Sequence, residues 1–144
     1  MLTVNSAGSA FPKSRRLLRH ADFQRVYQTG RRQFTGNMTV FFLRRAAPEA
    51  ATHCGSSMRV GFTVGKVLGG SVERNRLKRR MREAVRTSWP AAQAPVDVVF
   101  HPRKSVVNMP FAEVAREVAR GLQLALQRAR EAQEDKPAKQ VEPE

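Results

Sequence analysis

RVGFTVGKVLGGSVERNRLKRRMREAVR, residues 59–86, holds two periodicities in succession. Starting one residue earlier, Met58, Val60, Phe62 and Val64 alternate with Arg59, Gly61, Thr63 and Gly65. A period of two predicts a strand over 58–65 with one face in a core. Its other face carries small residues and one arginine, which leaves the backbone open to close approach by a ligand. Gly69-Gly70-Ser71 then breaks the pattern, with Ser71 a candidate N-cap. From about 72 to 88 the period becomes helical. Leu77, Met81, Ala84 and Val85 share one narrow apolar stripe. Asn75, Lys78, Arg79, Arg82 and Arg86 form the neighbouring face, and Arg74, Arg76 and Arg80 complete a nearly all-cationic remainder.

Outward from this unit, HADFQRVYQT (20–29) reads as a short helix ending at Gly30, a plausible left-handed C′ residue. NMTVFFLR (37–44) reads as a strand, and RAAPEAATHCGSS (45–57) as a loop. Pro90 and Pro95 bracket the exit from the basic helix, before the short apolar strand VDVVF (96–100). A last helix is expected over about 109–130, with Asn108 near its cap and Pro110 in its first turn. Phe111, Val114, Ala115, Val118, Leu122, Ala125 and Leu126 form its core stripe. The order helix, strand, strand, helix, strand, helix predicts an α+β sandwich with helices on a small sheet.

The chain has 144 residues, enough for one self-supporting domain. Residues 1–13 are expected to be a flexible extension, 14–130 the folded domain, and 131–144 a disordered acidic tail. One cysteine, Cys54, excludes an internal disulfide framework and fits a cytoplasmic setting. No apolar run is long enough to span a membrane. His20, His53 and His101 lack metal-ligand spacing. Seven of the twelve acidic residues follow residue 112, so few carboxylates remain upstream for an acid–base pair or a two-metal site. An autonomous nuclease is therefore disfavoured.

The net charge is +14. Residues 1–48 carry nine basic groups against one acidic, and residues 59–86 nine against two. An ordinary surface helix intersperses acids four residues from its bases. Here Arg74, Arg76, Lys78, Arg79, Arg80 and Arg82 crowd nine positions, with only Glu73 and Glu83 nearby. Such mutual repulsion in the free protein is intelligible if a polyanion relieves it. Guanidinium forks suit phosphate oxygens and stacked bases. With no heptads and no Cys/His pairs, and with strands on both sides, a basic helix on a sheet points to folded RNA rather than to a DNA-reading motif. Phe23 and Tyr27 lie one turn apart, while Phe41 and Phe42 point to opposite sheet faces. Phe42 and Phe62 are expected in the core. Phe23, Tyr27 and Phe41 are either core as well or a stacking platform for single-stranded RNA.

Residues 59–86 strongly resemble the protein subunit of bacterial ribonuclease P. The shared features are the Arg-x-Gly-hydrophobic strand, a lysine-bearing turn, and a helix opening with Arg74-Asn75-Arg76 and continuing through Leu77-Lys78-Arg79 and Arg82-Glu83. DFQRVYQTG (22–30) and, more weakly, VDVVF with Arg103-Lys104 extend the resemblance over about residues 15–128. Two departures are Val67, where the family pattern has a second lysine, and Gly70, where it has asparagine. The resemblance implies helices on a four-stranded sheet with a left-handed βαβ crossover. It also implies that a catalytic RNA holds the Mg²⁺ and that the partners are this RNA, one protein per RNA, and precursor tRNA. Carried onto matching positions, Phe23, Tyr27 and Phe41 would line a cleft for the 5′ leader. Arg59, Lys66, Arg74, Asn75, Arg76, Lys78, Arg79 and Arg82 would bind RNA. No catalytic group and no direct metal ligand is expected in the protein. A ribosomal or chaperone-like RNA-binding protein is the alternative on the residues alone.

Overall fold

The computed structural model describes residues 15–45, 58–90 and 94–134. Its elements are α1 (His20–Thr29), β1 (Arg31–Phe34), β2 (Met38–Arg44), β3 (Arg59–Phe62), α2 (Ser71–Thr87), β4 (Val96–Pro102) and α3 (Phe111–Glu134). Lys66–Leu68 and Lys104–Val106 are single 3₁₀ turns. The four strands form one sheet in the order β1-β2-β4-β3. β2 is antiparallel to both β1 and β4, whereas β3 runs parallel to β4. The segment β3–α2–β4 is thus a βαβ unit between adjacent strands.

β4 is an interior strand buried on both faces. Val96, Val98 and Phe100 face one side and Val99 the other, and all four are fully buried. The larger core lies between the first face and the two long helices. Met38, Val40 and Phe42 of β2 join Leu77, Met81, Ala84 and Val85 of α2 and Val114, Val118, Leu122, Ala125 and Leu126 of α3. α3 sits so close to the sheet that a Cβ on Gly121 would lie 2.7 Å from the Phe100 ring and 3.1 Å from Val40. Among the described residues the opposite face is covered by the ten residues of α1 and the segment before it. Leu17, Val26 and Val99 form a small core there, bordered by Phe23, Tyr27, Phe41 and Leu43. The outer edge of β3 is capped by a parallel bridge from Arg16 to Val60, with Leu17 N–H donating to the Val60 carbonyl at 2.9 Å, which blunts an otherwise open edge.

Several sequence expectations need correction. β1 is absent from the pattern reading, which finds three strands. RRQF has no apolar alternation, and β1 is an edge strand with little to bury. Gly30 ends α1 in an extended conformation, not a left-handed one. Its side-chain space is closed instead, since a Cβ would come within 2.5 Å of the Phe42 and Val26 carbonyl oxygens. Ser71 is the first helical residue of α2 and Gly70 the cap, with the Gly70 N–H donating to the Glu73 carboxylate at 3.1 Å. Gly69 turns the chain into this helix at φ +130°, a region that favours glycine. α3 begins at Phe111, after Asn108 and Pro110, and Phe111 is 39% exposed because it opens the helix beyond the sheet. α3 also continues to Glu134, into the start of the expected tail. The expectations for residues 1–13, for the loop 46–57 with Cys54, and for 135–144 lie outside the described residues.

One buried ion network ties the small-core side together. Asp97 is fully buried and accepts from Arg45 Nη1 at 2.6 Å and from Arg59 at 2.9 Å and 2.8 Å. Arg59 also approaches Asp22 of α1 at 3.6 Å. Removing the shared carboxylate leaves buried cations without it, a change that costs about 3–5 kcal/mol. Asp97→Ala should lower unfolding free energy by that amount in urea denaturation. Gly121→Ala, which overpacks the α3–sheet contact, should cost about 1–3 kcal/mol. A loss below half a kcal/mol in either variant would contradict the packing described.

Candidate nucleic-acid interface

The two sets of candidate residues are built by different parts of the fold. α2 directs its apolar stripe inward, so the remaining positions are displayed by geometry alone. Asn75, Arg76 and Arg79 are exposed, as is Lys66 in the turn before the helix, while Arg74, Lys78 and Arg82 are half-exposed. Of these cations, Arg74 donates its Nε–H to the Gly69 carbonyl at 3.2 Å. Lys66, Arg76, Lys78, Arg79 and Arg82 have no carboxylate within ion-pair distance among the described residues. Glu83 is taken by Arg86 at 2.6 Å, which holds its carboxyl below the usual range. Arg82 is pushed below the usual arginine value by burial first, and then by the charges of Arg16 and Arg79. Like charge crowded on like charge is the arrangement that an incoming phosphate relieves. Because Arg16 runs along β3, this ridge reaches the edge of the sheet.

Arg59 stands apart from that group. Its fork grips Asp97 and its side chain is 17% exposed, so its charge serves the β3–β4–α1 junction. Arg80, outside the expected set, donates to the carbonyls of Met109 (2.5 Å) and Val107 (3.5 Å), which fastens α2 to the turn before α3.

The second set gathers on the α1 side of the sheet. Tyr27 and Phe41 meet edge to face with ring centroids 5.1 Å apart. His101 completes a three-ring cluster, 5.3 Å from Tyr27 and 5.0 Å from Phe41. The Tyr27 hydroxyl lies 2.7 Å from His101 Nε2 and also pairs with the Thr63 hydroxyl. Phe23 lies over Gly61, where a Cβ would sit 2.6 Å from its ring tip and 3.0 Å from Leu17 Cβ. The backbone that the alternation left open to a ligand is therefore filled at Gly61 by Phe23. At Gly65 it is open, with nothing within 4 Å of the Cβ position. Phe23, Tyr27 and Phe41 pack against the small core of Leu17, Val26 and Val99 and remain partly exposed.

Burial lowers the His101 pKa below 6.5 and raises that of Tyr27 above 10.0, against the lowering effect of its Thr63 hydrogen bond. At neutral pH both groups are uncharged, and the tyrosine hydroxyl can donate to an unprotonated Nε2. His101 was not among the residues picked from sequence. The expected strand ends at Phe100, whereas β4 runs to Pro102 and takes in His101, and its meeting with Tyr27 depends on the β2–β4 register, which pairs it with Thr39. Among the described residues no three His, Cys, Asp or Glu side chains converge as a metal site, and Asp22 and Asp97 are both engaged by arginines. No described helix is long and apolar enough to cross a membrane.

The sequence and the fold both match known proteins. The Ribonuclease P family model matches residues 11–126. The chain belongs to the ribonuclease P protein family. The ribonuclease P protein component of Symbiobacterium thermophilum is 39% identical over 106 residues, covering 74% of this chain and 86% of that protein. That of Paramagnetospirillum magneticum is 38% identical, covering 74% and 79%. The RNase P protein of Staphylococcus aureus superposes with a TM-score of 0.65 at 26% identity, over 78% of this chain and 96% of that one. The Thermotoga maritima RNase P protein, at 24% identity and a TM-score of 0.61, shares the fold. The four strands and the parallel crossover implied by the resemblance are thus those of the family.

Two measurements check this interface. Arg79→Ala should weaken RNA association by about 1–3 kcal/mol, the range for a charge-assisted contact, with an unchanged melting temperature. A melting collapse with RNA affinity intact would reverse the face assignment. His101 should titrate by NMR below 6.5. Since the folded pKa is the lower one, the unfolded chain binds more protons in the window just beneath 6.5. Stability should therefore fall as pH drops through that window and be regained above it. A midpoint above 6.5 would contradict the buried neutral ring.

Proposed function

We propose that this subunit binds and positions RNA, and that the RNA subunit of ribonuclease P performs the cleavage. The observation that carries the reading is the set of α2 cations left without internal carboxylates. The protein's charges and hydrogen-bonding groups fit phosphate neutralisation. Bond breaking is less well served, since among the described residues the carboxylates do not cluster, and Asp22 and Asp97 are held by arginines. Removal of a 5′ leader is hydrolysis of one phosphodiester bond, a reaction for which metal ions at the attacking and leaving oxygens are well suited. Among the described residues no donor set fits such ions, and this reading assigns Mg²⁺ to the RNA.

In this reading Lys66, Arg74, Asn75, Arg76, Lys78, Arg79 and Arg82 face the catalytic RNA, one protein copy on each. The groove walled by Phe23, Tyr27 and Phe41 takes the single-stranded leader of precursor tRNA. Half-exposed rings stack on any base, each worth about 1–3 kcal/mol, which suits leaders of unrelated sequence.

The purified protein added to a cognate ribonuclease P RNA at low Mg²⁺ should raise the rate of precursor tRNA 5′ maturation. No gain would end the proposal. Tyr27→Ala in the assembled holoenzyme should weaken leader-bearing tRNA by about 1–3 kcal/mol and mature tRNA much less. Equal losses on both would reject the groove as the leader site.

A further inference from the structure

Phe34 is a large apolar side chain left 55% exposed on an edge strand, a position where a polar residue would satisfy the fold. It is not left at random. The Arg32 guanidinium stands 5.6 Å from its ring centroid and that of Arg103 5.4 Å. Register puts all of this on the groove side of the sheet. Phe34 pairs with Thr39, which pairs with His101, and Arg32 pairs with Phe41. Phe34 and Phe41 are therefore diagonal neighbours on one face, a relation that separates residues by roughly 7–8 Å. Adjacent nucleotides of an extended strand can bridge such a step.

The hairpin that presents Phe34 is held from behind. Gly36 takes φ +98°, and Asn37 donates both its backbone N–H and its side-chain amide to Glu117 of α3. Thr35 donates to the same carboxylate at 3.2 Å. The Asn37 carbonyl accepts the Arg103 N–H at 2.9 Å, and its side-chain oxygen accepts from Ser105 at 2.6 Å. The ring and its flanking Arg103 are thus fixed relative to one another before any ligand arrives.

We propose that Phe34, flanked by Arg32 and Arg103, is an outer stacking subsite for one nucleotide of single-stranded RNA. It continues the Tyr27–Phe41–His101 groove to the β1 edge of the sheet. A base stacks on the ring by displacing one of the two guanidinium groups that lie over it, and these flexible groups then take the phosphates on either side. A charge-matched, sequence-indifferent polyanion with exposed bases is the occupant these three side chains fit together. The inference rests on the leader-binding reading and extends it by one position.

The test uses the holoenzyme and precursor tRNAs whose leaders lengthen one nucleotide at a time. Phe34→Leu keeps an apolar side chain on the hairpin but removes the ring, and Phe34→Trp enlarges it. In the native holoenzyme, affinity should rise in a further step once the leader is long enough to pass the inner groove. Phe34→Leu should cut that step by about fivefold or more, and Phe34→Trp should preserve or increase it. An undiminished step in Phe34→Leu, or equal losses with leader-bearing and leaderless tRNA, would overturn the subsite. If the native holoenzyme itself shows no dependence on leader length, the leader-binding reading fails, and the subsite with it.

Discussion

A helix that commits its whole apolar stripe to the core leaves its charges with nowhere internal to go. That constraint governs α2. Leu77, Met81, Ala84 and Val85 are buried against α3 and the sheet, so the cations between them are displayed by helical geometry. The chain places no acids beside them except Glu73, which accepts from the Gly70 N–H, and Glu83, which is paired with Arg86. Arg82 lies among like charges. The free protein therefore holds an unrelieved positive field over one helix face, and the remainder of the fold serves to keep that face rigid and turned outward.

The sheet contributes asymmetry. One face supports two long helices and the main core. The other is covered by a helix of only ten residues, too short to seal it. Beside α1, among the described residues, lie the partly exposed rings of Phe23, Tyr27 and Phe41. Burial keeps Tyr27 and His101 uncharged, so the ring cluster is neutral while Arg32 and Arg103 stand beside it at Phe34. A fold with phosphate-binding charge at the periphery and stacking surface between can hold nucleic acid without reading its sequence. The buried Asp97 network binds the same region from below, fixing β3, β4 and α1 as one unit.

Much of this was legible from residue order, and the failures share a cause. The third strand and the stripe of α2 follow from local periodicity, though the strand is paired over only 59–62 of the expected 58–65, and each expected stripe residue of α2 is buried. β1 was hidden because Arg31, Arg32 and Gln33 carry no apolar alternation. Its only local signal is the Gly36 turn between it and β2. Arg59 was expected among the RNA-binding residues, and its pairing with Asp97 was not legible, because their parallel register joins positions far apart in the chain. His101 and Phe34 depend likewise on strand pairing. Their neighbours come from α1, β1, β2 and β4 together. Periodicity reports which face a residue takes. It does not report which other residues share that face.

The most direct measurement of the central claim is the salt dependence of association between the native protein and its ribonuclease P RNA. If the α2 ridge neutralises about five to eight phosphates, a plot of log affinity against log salt should fall with a slope of roughly −3.5 to −6, using about 0.7 per contact. A slope shallower than about −1 would mean that one phosphate contact at most is made, and would contradict the role assigned to those cations.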